Sequence, residues 1–328
     1  RHRAWGDRAE ALHGRERSGP RWKEVDATAP RIAFFSSDFR QHVVMRFLAP
    51  LLEGLLASGI TPTLVSSGRV RDGVTEDLAR RFPMLDVARL TRDEARARVA
   101  ALGAQILIDL GAHTNDRLDW LAPRIAPVQL HYLGYPGPIG TRSLDYRVSD
   151  TIAEADDHDG VDRILRLERC AWVYRRPAGR AFPRRARGGD GPRFGCFNRV
   201  AKHSPAICEV WTEVLRAVPR SRLVLASRGL LHDRARSVAL ERFALDVRDR
   251  IDFAPWRAGA VEALARYADV DVVLDTYPYQ GTTTTCDALC LGRPVVALDA
   301  DRPASRVARS LLTAADAPEL IAQDAAQY

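Results

Sequence analysis

Short apolar runs alternate with amphipathic stretches along most of this 328-residue chain. Residues 31–36 (RIAFFS) read as a buried strand, and residues 42–56 as the amphipathic helix that follows it. Residues 61–66, 85–90, 105–110 and 128–132 read as four further strands. Residues 91–101 predict a helix with Thr91 as N-cap and Glu94 three positions on, the capping-box spacing. Strands separated by helices of about 10–15 residues predict right-handed βαβ units and a parallel sheet. Periodicity fails over residues 175–192, whose Arg, Gly and Pro mark a linker. It then restarts, with strands at 194–197, 222–226, 250–253, 270–274 and 294–298 and helices at 204–216, 233–243, 259–267 and 283–291. The prediction is an α/β chain of two doubly wound halves with a ligand cleft between them. Its parts are an irregular lead-in at 1–30, docked through Trp5 and Trp22, a first domain at 31–176, a linker at 177–192 and a second domain at 193–328.

Composition narrows the function classes. With 46% hydrophobic and 28% charged residues the chain suits a soluble globular protein, and its length suits two cores rather than one. No apolar run approaches the ~20 residues that span a bilayer, and no signal peptide opens the chain, so the cytoplasm is expected and a membrane is not. The chain starts at Arg1 rather than Met and reads as a piece of a longer protein. The formal charge is +7, yet only two of the 49 basic residues, Lys23 and Lys202, are lysines. The arginines are scattered among acids and lack interleaved aromatics, which argues against nucleic acid and leaves room for a phosphorylated ligand. Five cysteines (Cys170, Cys196, Cys208, Cys286, Cys290) form no C-x-x-C pair, so neither a disulfide framework nor a zinc site is expected. Three D-x-D matches, at 157–159, 269–271 and 299–301, are weak signals, and no glycine fingerprint for a dinucleotide or ATP is present. Nothing in the sequence requires a metal or a separate cofactor.

The chemistry concentrates in residues 275–287 (DTYPYQGTTTTCD). Gly281 permits close backbone approach, and Thr282, Thr283, Thr284 and Thr285 place hydroxyls and free N–H groups at a helix start, an anion cradle suited to a diphosphate. One threonine there would be an ordinary cap; four after a glycine that ends a core strand are not. Asp287, one turn in, can accept from ribose hydroxyls. Phe197, Asn198, Arg199 and Lys202 follow the first strand of the second half, where Lys202 suits a phosphate leaving group as a point charge. Ser204 caps the next helix and Pro205 opens it. In the first half, His42 leaves the first strand and is a candidate to take a proton or hold a hydroxyl, the alternative being a histidine bonded to local backbone; His113, after the strand at 105–110, has the same topological position and is a second cleft candidate. The loop at 133–140, with Tyr135, Pro136 and Gly137, is either a ligand loop or a tight turn.

These segments resemble the O-linked N-acetylglucosamine transferase family, including its bacterial and Spindly-like members. The resemblance rests on SSDF at 36–39 with His42, DLGAHT at 109–114, LGYPG at 133–137, FN with Lys202, and LDTYPYQGTTTTCD at 274–287, and runs from about Arg31 to Ile321. It implies the GT-B fold, two facing Rossmann-like domains, and inverting, metal-independent transfer of N-acetylglucosamine from UDP-GlcNAc to serine or threonine of a protein acceptor. It further implies that Lys202 holds the diphosphate, that the threonine run forms the helix start beneath it, that Asp287 binds the ribose, and that His42 lies near the acceptor or sugar. Arg199 replaces a family Gln and Thr282 a family His, and the base-binding loop carries Trp256 without the family's lysine and histidine, leaving Arg266 to serve. Relatives that use GDP-fucose or UDP-glucose are the alternatives for the donor, and a silent nucleotide-sugar-binding fragment is the alternative to an enzyme. The family's N-terminal tetratricopeptide array is expected in the full-length protein, and the C-terminal helices are expected beyond Tyr328.

Overall fold

The structure, a computed structural model, describes residues 1–13, 21–114, 117–122, 124–154, 162–176, 191–256 and 260–328. The chain divides into two compact units, residues 1–175 and 176–328. Most of the expected linker and the D-x-D at 157–159 lie outside the described residues.

The first unit opens with helix α1 (His2–His13), followed by β1 (Ile32–Ser36), α2 (Met45–Ala57), β2 (Thr63–Ser66), α3 (Gly73–Arg81), β3 (Met84–Asp86), α4 (Arg92–Ala101), β4 (Ile106–Asp109), β5 (Val128–His131), β6 (Tyr146–Asp150) and β7 (Ile164–Leu167). All seven strands are parallel, in the order β3-β2-β1-β4-β5-β6-β7. Phe34 and Phe35 alternate across β1, one packing against Leu48 and Leu52 of α2 and the other with the cluster that holds Val99 and Leu121. The sheet is therefore covered on both faces, as parallel strands require. Asp72 and Thr91 cap α3 and α4 with reciprocal capping boxes. Pro50 inside α2 cannot donate to the carbonyl of Arg46, and that oxygen instead accepts the Arg175 N–H at 2.9 Å.

Several expectations change here. Residues 1–30 were expected to be irregular, but 2–13 form a helix, with Trp5 packed against the core and Trp22 left 44% exposed. Helix α2 starts at Met45 rather than at His42, because His42, Val43 and Val44 form the turn before it. The strand expected over 85–90 stops at Asp86, whose side chain turns back to accept the Ala88 N–H. Strands β6 and β7 and helix α3 carry no apolar run that would announce them. In β6 the buried Arg147 is paired with Glu154 and Asp162, so a charged residue occupies a core position.

The second unit runs β8 (Arg193–Cys196), α5 (Pro205–Ala217), β9 (Arg222–Leu225), α6 (Asp233–Leu240), β10 (Ile251–Phe253), α7 (Ala260–Ala265), β11 (Val272–Leu274), α8 (Thr283–Cys290), β12 (Val295–Leu298), α9 (Val307–Ala314) and β13 (Ile321–Ala322). Its six parallel strands take the order β10-β9-β8-β11-β12-β13. Trp211 of α5, wholly buried, packs beneath β8 and β9, while Tyr267, Ala288 and Leu312 fill the opposite face. In both units the strand order reverses beside the first strand, between β1 and β4 and between β8 and β11. Ligands in such sheets bind at the carboxyl ends flanking that reversal.

Candidate active site

The loops leaving β8 and β11 meet at the switch point of the second unit. Asp275 follows Leu274, the last residue of β11, and is 1% exposed. Its Oδ1 accepts the backbone N–H of Thr276 at 2.8 Å, that of Gly281 at 2.9 Å and Asn198 Nδ2 at 2.8 Å. Asn198, just beyond β8, then accepts Thr284 Oγ1 at 2.9 Å. One buried carboxylate thus ties the β8 loop to the start of α8. Gly281 is required by proximity rather than by its dihedral angles. A Cβ there would lie 2.1 Å from Thr284 Oγ1 and 3.0 Å from Asn198 Oδ1.

Lys202 ends a 3-10 turn, Val200–Lys202, and reaches back over the same loop. Its Nζ donates to the Gln280 carbonyl at 2.7 Å and stands 3.9 Å from the centre of the Tyr279 ring. Burial pulls the ammonium down to about 8, Asp275 works against that shift, and Arg199 adds to it. Desolvation pushes the Asp275 carboxyl up to about 6 despite its N–H donors and Lys202. Near pH 7 both groups are charged. The 277–280 segment beneath Lys202 is held at every residue. Ser204 Oγ donates to the Tyr277 carbonyl at 2.5 Å and Ser305 Oγ to that of Pro278 at 2.5 Å, and Thr276 Oγ1 donates to that of Tyr279 at 2.7 Å. Gln280 bonds the Leu298 carbonyl and the Ala308 N–H. The Tyr277–Pro278 peptide is cis.

The four threonines do not act alike. Thr284 Oγ1 is committed to Asn198 and Thr285 Oγ1 to the Gly281 carbonyl, so these hydroxyls build the loop rather than line it. Thr282 and Thr283 are half-buried and open α8, where the first N–H groups of a helix have no intrahelical acceptor. At the other side of the β8 loop, the Arg266 guanidinium lies 4.6 Å from the Trp256 ring centre and 5.9 Å from that of Phe197. Its Nε and Nη1 are buried without a hydrogen-bond acceptor among the described residues. Asp287 is buried on the second turn of α8 and is felt electrostatically by Arg266. Two of the three D-x-D matches are structural: Asp271 accepts the Arg193 N–H and Asp299 pairs with Arg309.

In the first unit the candidates gather at the carboxyl end of its own sheet. His42 lies in the turn before α2, with Nδ1 3.6 Å from Asp38 Oδ2 and 3.4 Å from the Val44 N–H. His113 sits in a 3-10 turn after β4, its Nε2 2.8 Å from the Ile139 carbonyl. Its ring is 4.9 Å from Trp5, 5.1 Å from His2 and 5.3 Å from Tyr135. Helix α1, where the sequence predicts irregular chain, therefore forms part of this cluster, and His2 Nε2 lies 2.9 Å from Tyr135 Oη. Burial raises the Tyr135 phenol above its usual range. Gly137 packs against that ring, where a Cβ would come within 3.0 Å, and Pro136 connects the two. Beneath the loop, Asp109 faces His131 Nδ1 at 2.9 Å and accepts the Ala112 N–H at 2.6 Å. The local-backbone alternative for His42 thus has a concrete form in the Val44 N–H, while His113 bonds a carbonyl 26 positions away and its ring edges the Tyr135 loop.

Residues 190–328 match the family model for glycosyl transferase family 41. The Arabidopsis thaliana protein named "Probable UDP-N-acetylglucosamine--peptide N-acetylglucosaminyltransferase SPINDLY" is 32% identical along 100% of this chain, which spans 37% of that relative's length. A variant of the Thermobaculum terrenum O-GlcNAc transferase superposes with a TM-score of 0.86 at 30% identity, covering 100% of this chain and 68% of that one. The chain belongs to the O-GlcNAc transferase family.

Sucrose-phosphate synthase from Thermosynechococcus elongatus, at 15% identity, TM-score 0.52 and coverage of 89% and 92%, shares the fold. The fold class is α/β of the GT-B type, built on two Rossmann-like sheets. For an O-GlcNAc transferase family member, the second unit brings together Asn198, Lys202, Gly281 and the threonine run, with Arg266, Trp256 and Asp287 forming a neighbouring group. Arg199 is exposed at the rim. The residues that sequence reasoning missed are Asp275 and Gln280. Asp275 carried one signal, an acid closing an apolar strand just before a glycine-bearing loop, and Gln280 carried none.

Proposed function

We propose that this chain is the catalytic region of an inverting, metal-independent glycosyltransferase that moves N-acetylglucosamine from UDP-GlcNAc to serine or threonine hydroxyls of proteins. The observation that carries the reading is Lys202, an ammonium held by the Gln280 carbonyl beside the opening turn of α8. The acceptor oxygen attacks the anomeric carbon as the bond to the β-phosphate oxygen breaks. The electron pair leaves with the diphosphate, and the acceptor proton passes to a base. Lys202 and the α8 N–H groups at Thr282 and Thr283 stabilise the charge that develops on the leaving group. Thr284 and Thr285 hold that helix start in place, and Gly281 lets the backbone approach. Arg266 offers its unpartnered N–H groups, with Trp256 as a stacking surface, to the nucleobase, and Asp287 serves the ribose. Asn198 and Arg199 flank the diphosphate. His42, His113 and the loop of Tyr135, Pro136 and Gly137 serve the acceptor or sugar.

Metal independence rests on this supply of positive charge by side chain and helix start. Protein acceptors are recruited, in this reading, by a tetratricopeptide region outside the chain, in the cytoplasm. Among the described residues no helix is long and apolar enough to cross a membrane. The test is a melting panel with UDP-GlcNAc, UDP-glucose, GDP-fucose and UDP, followed by transfer to a serine-containing peptide in the presence of EDTA. Binding to the native state raises the melting temperature. The expected result is the largest rise with UDP-GlcNAc and UDP, with transfer surviving EDTA. A response to GDP-fucose alone would replace the donor, and no response to any nucleotide would sink the reading.

A further inference from the structure

We propose that Asp275 is the positioning residue of the donor site, its buried carboxylate both fixing the start of α8 through Gly281 and Asn198 and supplying the counter-charge for the Lys202 ammonium. The inference rests on the donor-site reading above, but its geometry is independent of any ligand. Three donors converge on one oxygen of Asp275, and they come from three stretches of chain: Thr276 beside it, Gly281 before α8, and Asn198 beyond β8. Asn198 passes the constraint to Thr284. A side chain at that place without an acceptor would release both the β8 loop and the helix start.

The second half of the inference concerns charge, and the Gln280–Gly281 peptide links the two groups: its N–H donates to Asp275 Oδ1 at 2.9 Å and its carbonyl accepts from Lys202 Nζ at 2.7 Å. Besides Tyr279, whose ring lies against the ammonium, charged and titratable groups from several elements act on this pair. From β8 comes Cys196, whose thiol burial pushes up to about 12. From the 3-10 turn and the residue after it come Arg199 and His203, the latter lowered by burial to about 4. Tyr328, whose hydroxyl donates to the Asp275 backbone carbonyl at 3.1 Å, is raised well above its usual range by burial. Near neutral pH, Cys196, His203 and Tyr328 are uncharged, leaving Lys202, Arg199 and Asp275. Arg199 repels the ammonium, so Asp275 is the one anion of this set holding it in its charged form.

The chain offers an unusually direct test, because Lys202 is one of only two lysines and the other, Lys23, is exposed. Lysine labelled with ¹³C at Cε gives two signals, which Lys23→Arg assigns. In the parent 328-residue chain the Lys202 signal should titrate near pH 8 and show a second, smaller inflection near pH 6 as Asp275 takes its proton. Asp275→Asn retains Oδ1 for the three donors and removes the charge, together with the longer 3.2 Å contact of the Gly281 N–H to Oδ2. In that variant the inflection near 6 should vanish and the main titration should fall by about one pH unit. Asp275→Ala removes the acceptor as well and should weaken UDP binding by about tenfold at pH 7, with less of that loss in Asp275→Asn. A Lys202 titration unmoved by Asp275→Asn, or a parent curve lacking the lower inflection, overturns the proposal, and the parent curve decides even if the variant does not fold. The titration needs neither donor nor acceptor, so failure of the transferase reading would leave it intact, and its own failure would leave transfer untouched.

Discussion

Asp109 and Asp275 occupy the same topological point in the two units, at the end of the strand that lies beside the first strand across the reversal of strand order. Both are buried, and both accept a backbone N–H from the loop that follows: Ala112 in one case, Gly281 in the other. What differs is the next layer. Asp109 meets the buried imidazole of His131, which in turn reaches the Tyr135 carbonyl at 3.1 Å. Asp275 bonds an amide, Asn198, and acts through space on an ammonium whose Nζ is bonded to the neighbouring Gln280 carbonyl. The same carboxylate at the same place is thus spent on rigidity in the first unit and on electrostatics in the second. The loop that follows decides which, because one loop returns an imidazole to the acid and the other brings a lysine and a helix start.

The largest effect expected from breaking this contrast belongs to Lys202→Ala. It removes the cation on the leaving group along with its bond to the Gln280 carbonyl and its contact with the Tyr279 ring, and it also relieves the desolvation of the ammonium. Turnover should therefore fall by about 10²–10³-fold with a small change in melting temperature. Near-parental turnover in a steady-state assay would remove Lys202 from the chemistry. The matching change in the first unit is Asp109→Ala, which strands the Ala112 N–H and one nitrogen of His131 in a buried place. It should cost about 3 kcal/mol of stability, read from denaturant midpoints, while leaving the Kd for UDP within about twofold of the parent. A large loss of UDP affinity without loss of stability would reverse the assignment of the two acids.

The contrast also explains what could be read from the chain in advance. Strands β1, β2, β4 and β5 and the strands β8 to β12 stand out because each is a short apolar run between turn residues. Strands β6 and β7 do not, because Arg147 is buried only by virtue of partners at Glu154 and Asp162 that no local pattern shows. Helix α1 is masked by its charge, since its helical periodicity carries few apolar residues. At the site, the glycine and threonine run declares itself by its place after a core strand. Which threonines face outward could not be read, because the commitment of Thr284 to Asn198 spans 86 positions of sequence. Asp275 escaped for the same reason: its donors come from distant loops, and an acid after a strand is ordinary until those loops are placed.

Gly281→Ala sharpens the comparison by disturbing geometry without charge. The added methyl would sit 2.1 Å from Thr284 Oγ1, so that hydroxyl must rotate away and Asn198 loses its donor. Overpacking of this kind costs about 1–3 kcal/mol, here spread between stability and the helix start. The donor KM should rise by about tenfold with a smaller change in kcat, measured in donor titrations at saturating acceptor. An unchanged KM would mean that the start of α8 is free to shift and is not the cradle.

The smallest effect expected near neutral pH is a pH dependence, and it separates charge from every other role of Lys202. The ammonium is needed in its protonated form, and in the free protein it loses that proton at about pH 8. Protonation is nearly complete at pH 7 and half complete at pH 8, so kcat/KM should fall by roughly half between those values and about tenfold by pH 9. The direction follows from the need for the protonated form, and burial, by lowering the affinity for the proton, brings that alkaline loss down to about pH 8. Arginine at this position keeps its charge through that range, and its fork cannot reproduce the single bond to the Gln280 carbonyl. Lys202→Arg should therefore be slower than the parent at pH 7 but should lack the alkaline fall. If the fall persists in Lys202→Arg, another group titrates there, and the lysine acts by position alone.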